Sequence, residues 1–242
     1  MMNETIRQLY ERKSVRAFTD REIPDEAMYA ILKAATQAPT AGNQQLYTIL
    51  DITDQSLKDT LAQTCDNQPM IAAAKCVLIF CADCKKWYDA YSFVGAAPRE
   101  PGAGDFLLAV CDAMIAAENA VVAAESLGIG SCYIGDIMER YETHRELLHL
   151  PDHVFPVGML IFGYPTEGQQ TRKKPERAPL QYVVHENAYR ELSAAELEEM
   201  WTPRCGNRPY GEWMKAFCER KYNSDFSREM SRSVAAFLRQ FR

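Results

Sequence analysis

One segment dominates the folding problem. From Phe106 to Leu127 the chain is apolar with few interruptions, and alanine stands at 109, 113, 116, 117, 120, 123 and 124. Read as a helix from Asp105 to Leu127, it carries polar residues at 112, 119 and 126, every seventh position, with Glu118 and Glu125 beside them. That spacing leaves one narrow wet stripe on an otherwise apolar cylinder, the pattern of a buried helix. Three carboxylates within the stretch argue against a bilayer span. The small side chains let another helix approach closely, which predicts a central helix near a subunit interface.

The flanking sequence supplies shorter elements. Asn3 is placed to cap a first helix bearing Ile6, Leu9 and Tyr10 on one face. Pro24 suits the first turn of a second helix, with Asp25 and Glu26 at its positive end and Pro39 past its close. Tyr47–Ile52 and Cys76–Cys81 read as strands, the second almost continuously apolar. Gly128 and Gly130 end the long helix, Ser131–Ile134 leads into Gly135, and Phe155–Tyr164 reads as another strand. Ser193–Trp201 is amphipathic. The pattern is α+β: residues 1–190 form one domain, and 191–242 form a helical extension packing on it.

Composition narrows the class. Hydrophobic residues make up 47% of the chain and aromatics 10%, enough for a substantial core. No charged leader precedes an apolar run, so a cytoplasmic protein without membrane attachment is expected. The eight cysteines read as thiols. Cys81 and Cys84 form the one C-x-x-C and lie at a strand end, without further ligands at zinc spacing. His144, His149 and His153 are expected in loops and at the surface, so no metal site is predicted. Net charge is −6, yet residues 201–242 hold nine Lys and Arg against four Asp and Glu. A basic tail without a nucleic-acid motif suits a phosphorylated small molecule better than DNA or RNA.

Two stretches carry the chemistry. Arg12-Lys13-Ser14-Val15-Arg16-Ala17-Phe18 gathers three cations and a hydroxyl within five residues, a donor set suited to phosphate. Ala38-Pro39-Thr40-Ala41-Gly42-Asn43-Gln44-Gln45 is a loop of small residues and amides, open to a planar, hydrogen-bonding ligand. No dinucleotide-binding glycine pattern, Walker loop, H-E-x-x-H or G-x-S-x-G is present.

In this order, the two stretches resemble the nitroreductase family of flavoproteins. Further blocks follow in register: Gln68, Ala124–Gly130, Tyr133-Ile134-Gly135, Pro156–Gly158 leading to Gly163-Tyr164-Pro165, and Lys174–Pro179 running to Val184–Tyr189. The resemblance covers roughly residues 4–190 and is nearest the branch of NADPH-dependent, oxygen-insensitive nitroreductases and flavin reductases. It implies a mixed, largely antiparallel sheet flanked by helices, in an intertwined homodimer with two FMN sites at the interface. It implies that Arg12, Lys13 and Ser14 bind the FMN phosphate, with Lys174 and Arg177 from a later loop, and that Arg16 lies nearer the flavin N1–O2 edge. Thr40, Asn43 and Gln45 would meet the ring or ribityl chain, Gln68 the pyrimidine edge, and the backbone of Tyr133, Ile134 and Gly135 the N5–O4 side. Glu176 reads as a one-residue insertion, so Lys173 competes with Lys174 for the phosphate register. Arg204 and Arg208 resemble the loop that meets the 2′-phosphate of NADPH.

The resulting expectation is an FMN-dependent NAD(P)H oxidoreductase, a nitroreductase or a flavin or quinone reductase. It would work by ping-pong hydride transfer through flavin N5, with no dedicated catalytic side chain. NADPH or NADH is the donor, and nitroaromatics, quinones and flavins are the acceptors. An ene-reductase on the same fold and a non-catalytic flavin-binding sensor or storage protein are the rival readings.

Overall fold

The first helix, α1 (Glu4–Glu11), is capped as expected, with Asn3 Oδ1 accepting the Ile6 amide at 2.9 Å. The structure is a computed structural model that describes residues 2–241. Next comes α2 (Asp25–Thr36), with Pro24 at its N-cap, one position earlier than expected, and Asp25 and Glu26 in its first turn. The chain continues through β1 (Tyr47–Asp51), α3 (Gln55–Thr64), α4 (Pro69–Ala73), β2 (Cys76–Asp83) and α5 (Lys85–Phe93). After these come α6 (Ala103–Ser126), β3 (Gly130–Ile134), α7 (Tyr141–Leu147), β4 (Val154–Gly163) and α8 (Glu167–Thr171).

The four strands form one antiparallel sheet in the order β1-β2-β4-β3. β2 and β4 are buried along their whole length, as their near-continuous apolar sequences require. Side chains alternate across a strand, so β2 serves two cores. Leu78, Phe80 and Ala82 face a cluster with α2 and α6, and Val77, Ile79 and Cys81 face a second cluster with Leu61 of α3 and Ile71 of α4.

α6 is the central helix the sequence predicts, but its wet stripe is not where the heptad spacing puts it. Asp112 is buried, and Asn119 is half-buried, its amide donating to the Ala34 carbonyl at 3.1 Å. The buried alanines 109, 113, 116, 117, 120 and 124 serve this chain's own core, packed with α2 and the sheet. The exposed face instead carries Leu107, Leu108, Cys111 and Ile115. By length and hydropathy α6 is the one helix among the described residues able to cross a bilayer, but its alanine face is committed to the sheet. Gly128, at φ +71°, turns the chain out of α6 in a conformation that favours glycine.

The contacts divide the chain into two units, residues 1–172 with 229–242, and residues 173–228. These divisions fall elsewhere than the expected boundary after residue 190. The second unit holds a short 3-10 turn (Leu180–Tyr182), α9 (Ala194–Trp201), α10 (Tyr210–Lys221) and the start of α11 (Asp225–Leu238). Ser193 and Glu196 close a reciprocal cap on α9. The end of α11 belongs to the first unit, where Phe237 is fully buried against Phe106 and Phe155 at 5.0 and 4.7 Å between ring centroids.

Candidate functional site

The Arg12–Phe18 segment lies along the outer edge of β3. Ser14 bridges Ser131, the Val15 amide donates to the Ser131 carbonyl at 2.8 Å, and Thr19 donates to Tyr164 at 2.8 Å. Two glycines make this approach possible. A Cβ on Gly130 would stand 2.6 Å from the Val15 side chain, and one on Gly163 would stand 2.7 Å from the Phe18 ring. Val15 is thereby buried while Arg16 stays exposed. A cavity of about 420 Å³ opens beside the segment, lined by Lys13, Val15, Gly130 and Gln169 among others.

The predicted phosphate ligands divide by role. Lys13 Nζ donates to the carbonyls of Gln170 and Arg172 at 2.6 and 2.5 Å, so its charge pins the chain after α8 rather than pointing outward. Arg12 stands over the Tyr133 ring at 5.9 Å, and its Nε is buried with no hydrogen-bond partner. Arg172, which the sequence reading passed over, donates to the Ser14 carbonyl, and its Nε is likewise buried and unpartnered. Two guanidinium Nε donors, one two residues before Ser14 and one from the side chain that bonds the Ser14 carbonyl, therefore have no acceptor among the described residues. Buried donors are nearly always paired, so this is where an oxyanion fits. The signal for Arg172 was its place among the cations 172–177; nothing in the sequence separates it from them.

Arg16 lies beside Cys132. Burial raises that thiol above its ordinary range, and the cations of Arg16 and Arg12 oppose the shift. The backbone of Arg16 is fixed by Gln169, whose Oε1 accepts its amide at 3.1 Å. Tyr133 donates to Glu118 at 3.0 Å. Ile134 ends β3, and Gly135 begins the 3-10 turn of residues 136–138.

The amide loop is organised by Asp112 of α6, the buried carboxylate that heptad spacing had assigned to solvent. It accepts the amides of Ala41 and Leu46 at 3.0 and 3.1 Å and the hydroxyl of Thr40. Thr40 in turn accepts the Gln45 amide at 2.7 Å. Asn43 and Gln45, at φ +57° and +51°, are left-handed and exposed, so the carboxylate anchors a tight turn; the Gln45 side-chain amide donates back to the Thr36 carbonyl at 3.2 Å.

Gln68 sits on the other face of the sheet, between α3 and α4. Its Nε2 donates to the Cys65 carbonyl at 2.9 Å, which turns its Oε1 the other way. His144, expected at the surface, is fully buried on α7 and bonds within this region. Its Nδ1 lies 2.9 Å from the Ile137 carbonyl. His149 and His153, both left-handed, lie as expected in the turn at 148–153, whereas His144 lies on the helix before it. Cys81 and Cys84 are buried, and burial pushes each thiol up to about 12.

The remaining candidates belong to the second unit. Lys173 pairs with Glu176 at 3.2 Å, Lys174 is half-buried, and Arg177 donates to the Pro175 carbonyl at 3.2 Å. Arg204 stacks on Trp201 at 4.6 Å, and Gly206, at φ +60°, turns the chain toward the exposed Arg208.

Comparison with known proteins identifies the family and the fold. Residues 9–164 match the model of the Nitroreductase family. An FMN reductase (NADPH) of Bacillus subtilis is 35% identical over 190 residues, 78% of this chain and 75% of that protein. An oxygen-insensitive NADPH nitroreductase of Salmonella typhimurium is 36% identical over 79% of this chain and 77% of its own length. The solved NADPH:FMN oxidoreductase of Vibrio harveyi, in complex with NAD+, superposes with a TM-score of 0.83 at 27% identity, covering 98% of each chain.

Proposed function

The chain belongs to the nitroreductase family, and from that premise we propose that it is an FMN-dependent NAD(P)H oxidoreductase whose flavin phosphate is held by Arg12, Ser14 and Arg172. The observation that supports the assignment of residues is the pair of buried Nε donors of Arg12 and Arg172 without a partner among the described residues, together with the Arg172 contact to the Ser14 carbonyl. Lys13 keeps the Arg172 segment in place through two carbonyls. Lys174 and Arg177 are further phosphate ligands in this reading, on the strength of the family resemblance.

Bound FMN supplies two-electron hydride chemistry, taking a hydride from a nicotinamide and delivering it to an acceptor. The chain's part is binding, orientation and charge. Arg16 sets a cation toward the N1–O2 edge, where negative charge develops. Gln68 offers its Oε1 to the pyrimidine edge, and the backbone at Tyr133, Ile134 and Gly135 meets the N5–O4 side. Thr40, Asn43 and Gln45 meet the ring or ribityl chain.

Gln68 and the Thr40–Gln45 loop pack on opposite faces of the sheet. We therefore read the functional unit as a homodimer in which the loop of one subunit completes the site of the other. The exposed Leu107, Leu108, Cys111 and Ile115 of α6 are the face that such pairing would cover. Nitroaromatics, quinones and free flavins are the acceptors of this reading. Its place is the cytoplasm, a reducing compartment suited to eight cysteines in no disulfide.

The test is direct. The purified protein should carry about one FMN per chain, and anaerobic NADPH should bleach it. Arg12→Ala and Arg172→Ala should each weaken FMN binding by roughly tenfold or more, the loss of one charge-assisted hydrogen bond of about 1.5–3 kcal/mol. Colourless protein that takes up no FMN would remove the reading.

A further inference from the structure

Residues 13–19 change partners half-way along. Up to Val15 the segment is held by β3, where Ser14 bridges Ser131 and the Val15 amide donates to the Ser131 carbonyl. From Ala17 it is held by the chain that leaves β4. Thr166 donates to the Ala17 carbonyl at 3.2 Å, Phe18 bridges Pro165, and Thr19 donates to the Tyr164 carbonyl. Arg16 stands at the changeover. A main-chain donor needs an acceptor, and here a side chain supplies it: Gln169 Oε1 takes the Arg16 amide at 3.1 Å.

Gln169 is itself firmly placed. It lies in α8, whose first turn closes as the Gln169 and Gln170 amides donate to the Thr166 carbonyl at 2.9 and 3.0 Å. The Gln170 side chain adds a bond to the Pro165 carbonyl at 3.0 Å. Lys13 ties the far end of the same helix through the carbonyls of Gln170 and Arg172, and Arg172 returns to the Ser14 carbonyl. α8 is therefore fastened to the cationic segment at two points, by Lys13 near Ser14 and by Gln169 at Arg16.

We infer that Gln169 is a positioning residue for the redox balance of the flavin: by holding the Arg16 backbone, it keeps the Arg16 cation at the N1–O2 edge. The inference rests on the reductase reading above and adds a residue of α8 to it. A charge fixed in advance stabilises the anion of the reduced ring without reorganising, which a loosely held one does not. The two fastenings have separable effects. Gln169 governs the preference for reduced over oxidised flavin, and Lys13 the preference for FMN over riboflavin, which lacks the phosphate.

The experiment compares Gln169→Met, Gln169→Glu and Lys13→Met. Methionine has the length of glutamine without its oxygen, whereas glutamate keeps an accepting oxygen. Gln169 borders the cavity of about 420 Å³, so neither replacement is crowded. In the apoprotein, hydrogen exchange at the Arg16 amide should quicken about tenfold in Gln169→Met and keep the parent rate in Gln169→Glu. With flavin bound, Gln169→Met should hold oxidised FMN within about twofold of the parent but reduced FMN about tenfold more weakly, a fall of about 30 mV in the two-electron potential. Gln169→Ala, which also lacks the acceptor, should behave in the same way. Lys13→Met should weaken FMN equally in both redox states and leave riboflavin unchanged. Equal losses in both states for Gln169→Met, or no loss in either, would overturn the assignment while FMN uptake and NADPH bleaching still stood. A fall in potential of the same size in Lys13→Met would mark a general loosening and overturn it as well. A parent protein that takes up no FMN would instead remove the reductase reading, and this inference with it.

Discussion

The Nε2 of His144 on α7 lies 2.9 Å from the hydroxyl of Thr64 at the end of α3. Burial holds this imidazole below its ordinary pKa, so the ring is neutral. A carbonyl only accepts, so the proton sits on Nδ1 and goes to Ile137, and Nε2 accepts from Thr64. The ring thus joins the segment after Gly135 to the turn that carries Gln68. Thr64→Val leaves a buried lone pair unpaired and should cost about 1–3 kcal/mol of stability, with Thr64→Ser restoring it. The variant should also lower FMN affinity, measured by fluorescence titration, whereas a merely local defect would leave it unchanged.

Acid should act through the same residue. The unfolded chain protonates its histidine near pH 6.5 and the folded one resists to lower pH, so stability contributed by His144 is present above that value and falls as the pH drops below it. Urea midpoints between pH 7 and 5 should decline less steeply in His144→Gln than in the parent.

Glu139 has the opposite sign. It is buried, its Oε1 has no hydrogen-bond partner among the described residues, and burial first, then Asp136, Asp66 and Glu229, push its carboxyl up to about 7 against the opposing Arg140. The folded form keeps the proton that the unfolded form gives up near 4.5, so its contribution is present below that pH and lost as the pH rises through about 7. Glu139→Gln should therefore raise the Tm at pH 8 by a few degrees, a change of roughly 1 kcal/mol, and leave it nearly unaltered at pH 4.5.

Asp112→Asn tests the anchor of the amide loop. Three donors converge on the carboxylate, and an amide can accept at only one oxygen while its own NH2 faces a donor. A loss of about 1–3 kcal/mol is expected. Hydrogen exchange should quicken at Ala41 and Leu46 before it does in β2.

Assembly and donor choice are tested separately. Leu107→Glu or Ile115→Glu should weaken dimerisation by roughly a hundredfold in sedimentation, about 2.7 kcal/mol, if that face is covered. Ala116 and Ala120 are the wrong targets, since both are fully buried within the chain. Arg204→Ala and Arg208→Ala should raise the KM for NADPH and leave that for NADH nearly unchanged, with the NADPH preference falling as salt rises. Equal efficiency of the parent protein with both donors would cancel this assignment alone.

The sequence read well wherever local chemistry decides structure. Apolar runs marked β2 and β4, and Gly128 marked the end of α6, whereas the place of the Arg12–Phe18 cluster along β3 was not legible, because its pairing partner Ser131 lies more than a hundred residues on. It read poorly where a polar residue is buried by partners distant in the chain. Asp112 looks like surface until the loop seventy residues earlier brings its donors, and His144 until α3 brings Thr64. Arg172 is one cation among several until Ser14 selects it. α5 buries no residue fully, so no core-facing stripe marks it in the sequence, nor the aromatic cavity beside it.

The strip of chain at Ser14–Phe18 has a second consequence. β3 is an outer strand of the sheet, and an unpaired outer strand is a template for joining other molecules. Ser14 and Val15 occupy part of that rim, a position open to them only because Gly130 leaves room for Val15. The stretch proposed to gather the cofactor's phosphate therefore also shields the molecule from self-association. Substitutions that loosen it, such as Gly130→Ala, should be recovered as insoluble aggregate rather than as colourless, soluble apoprotein.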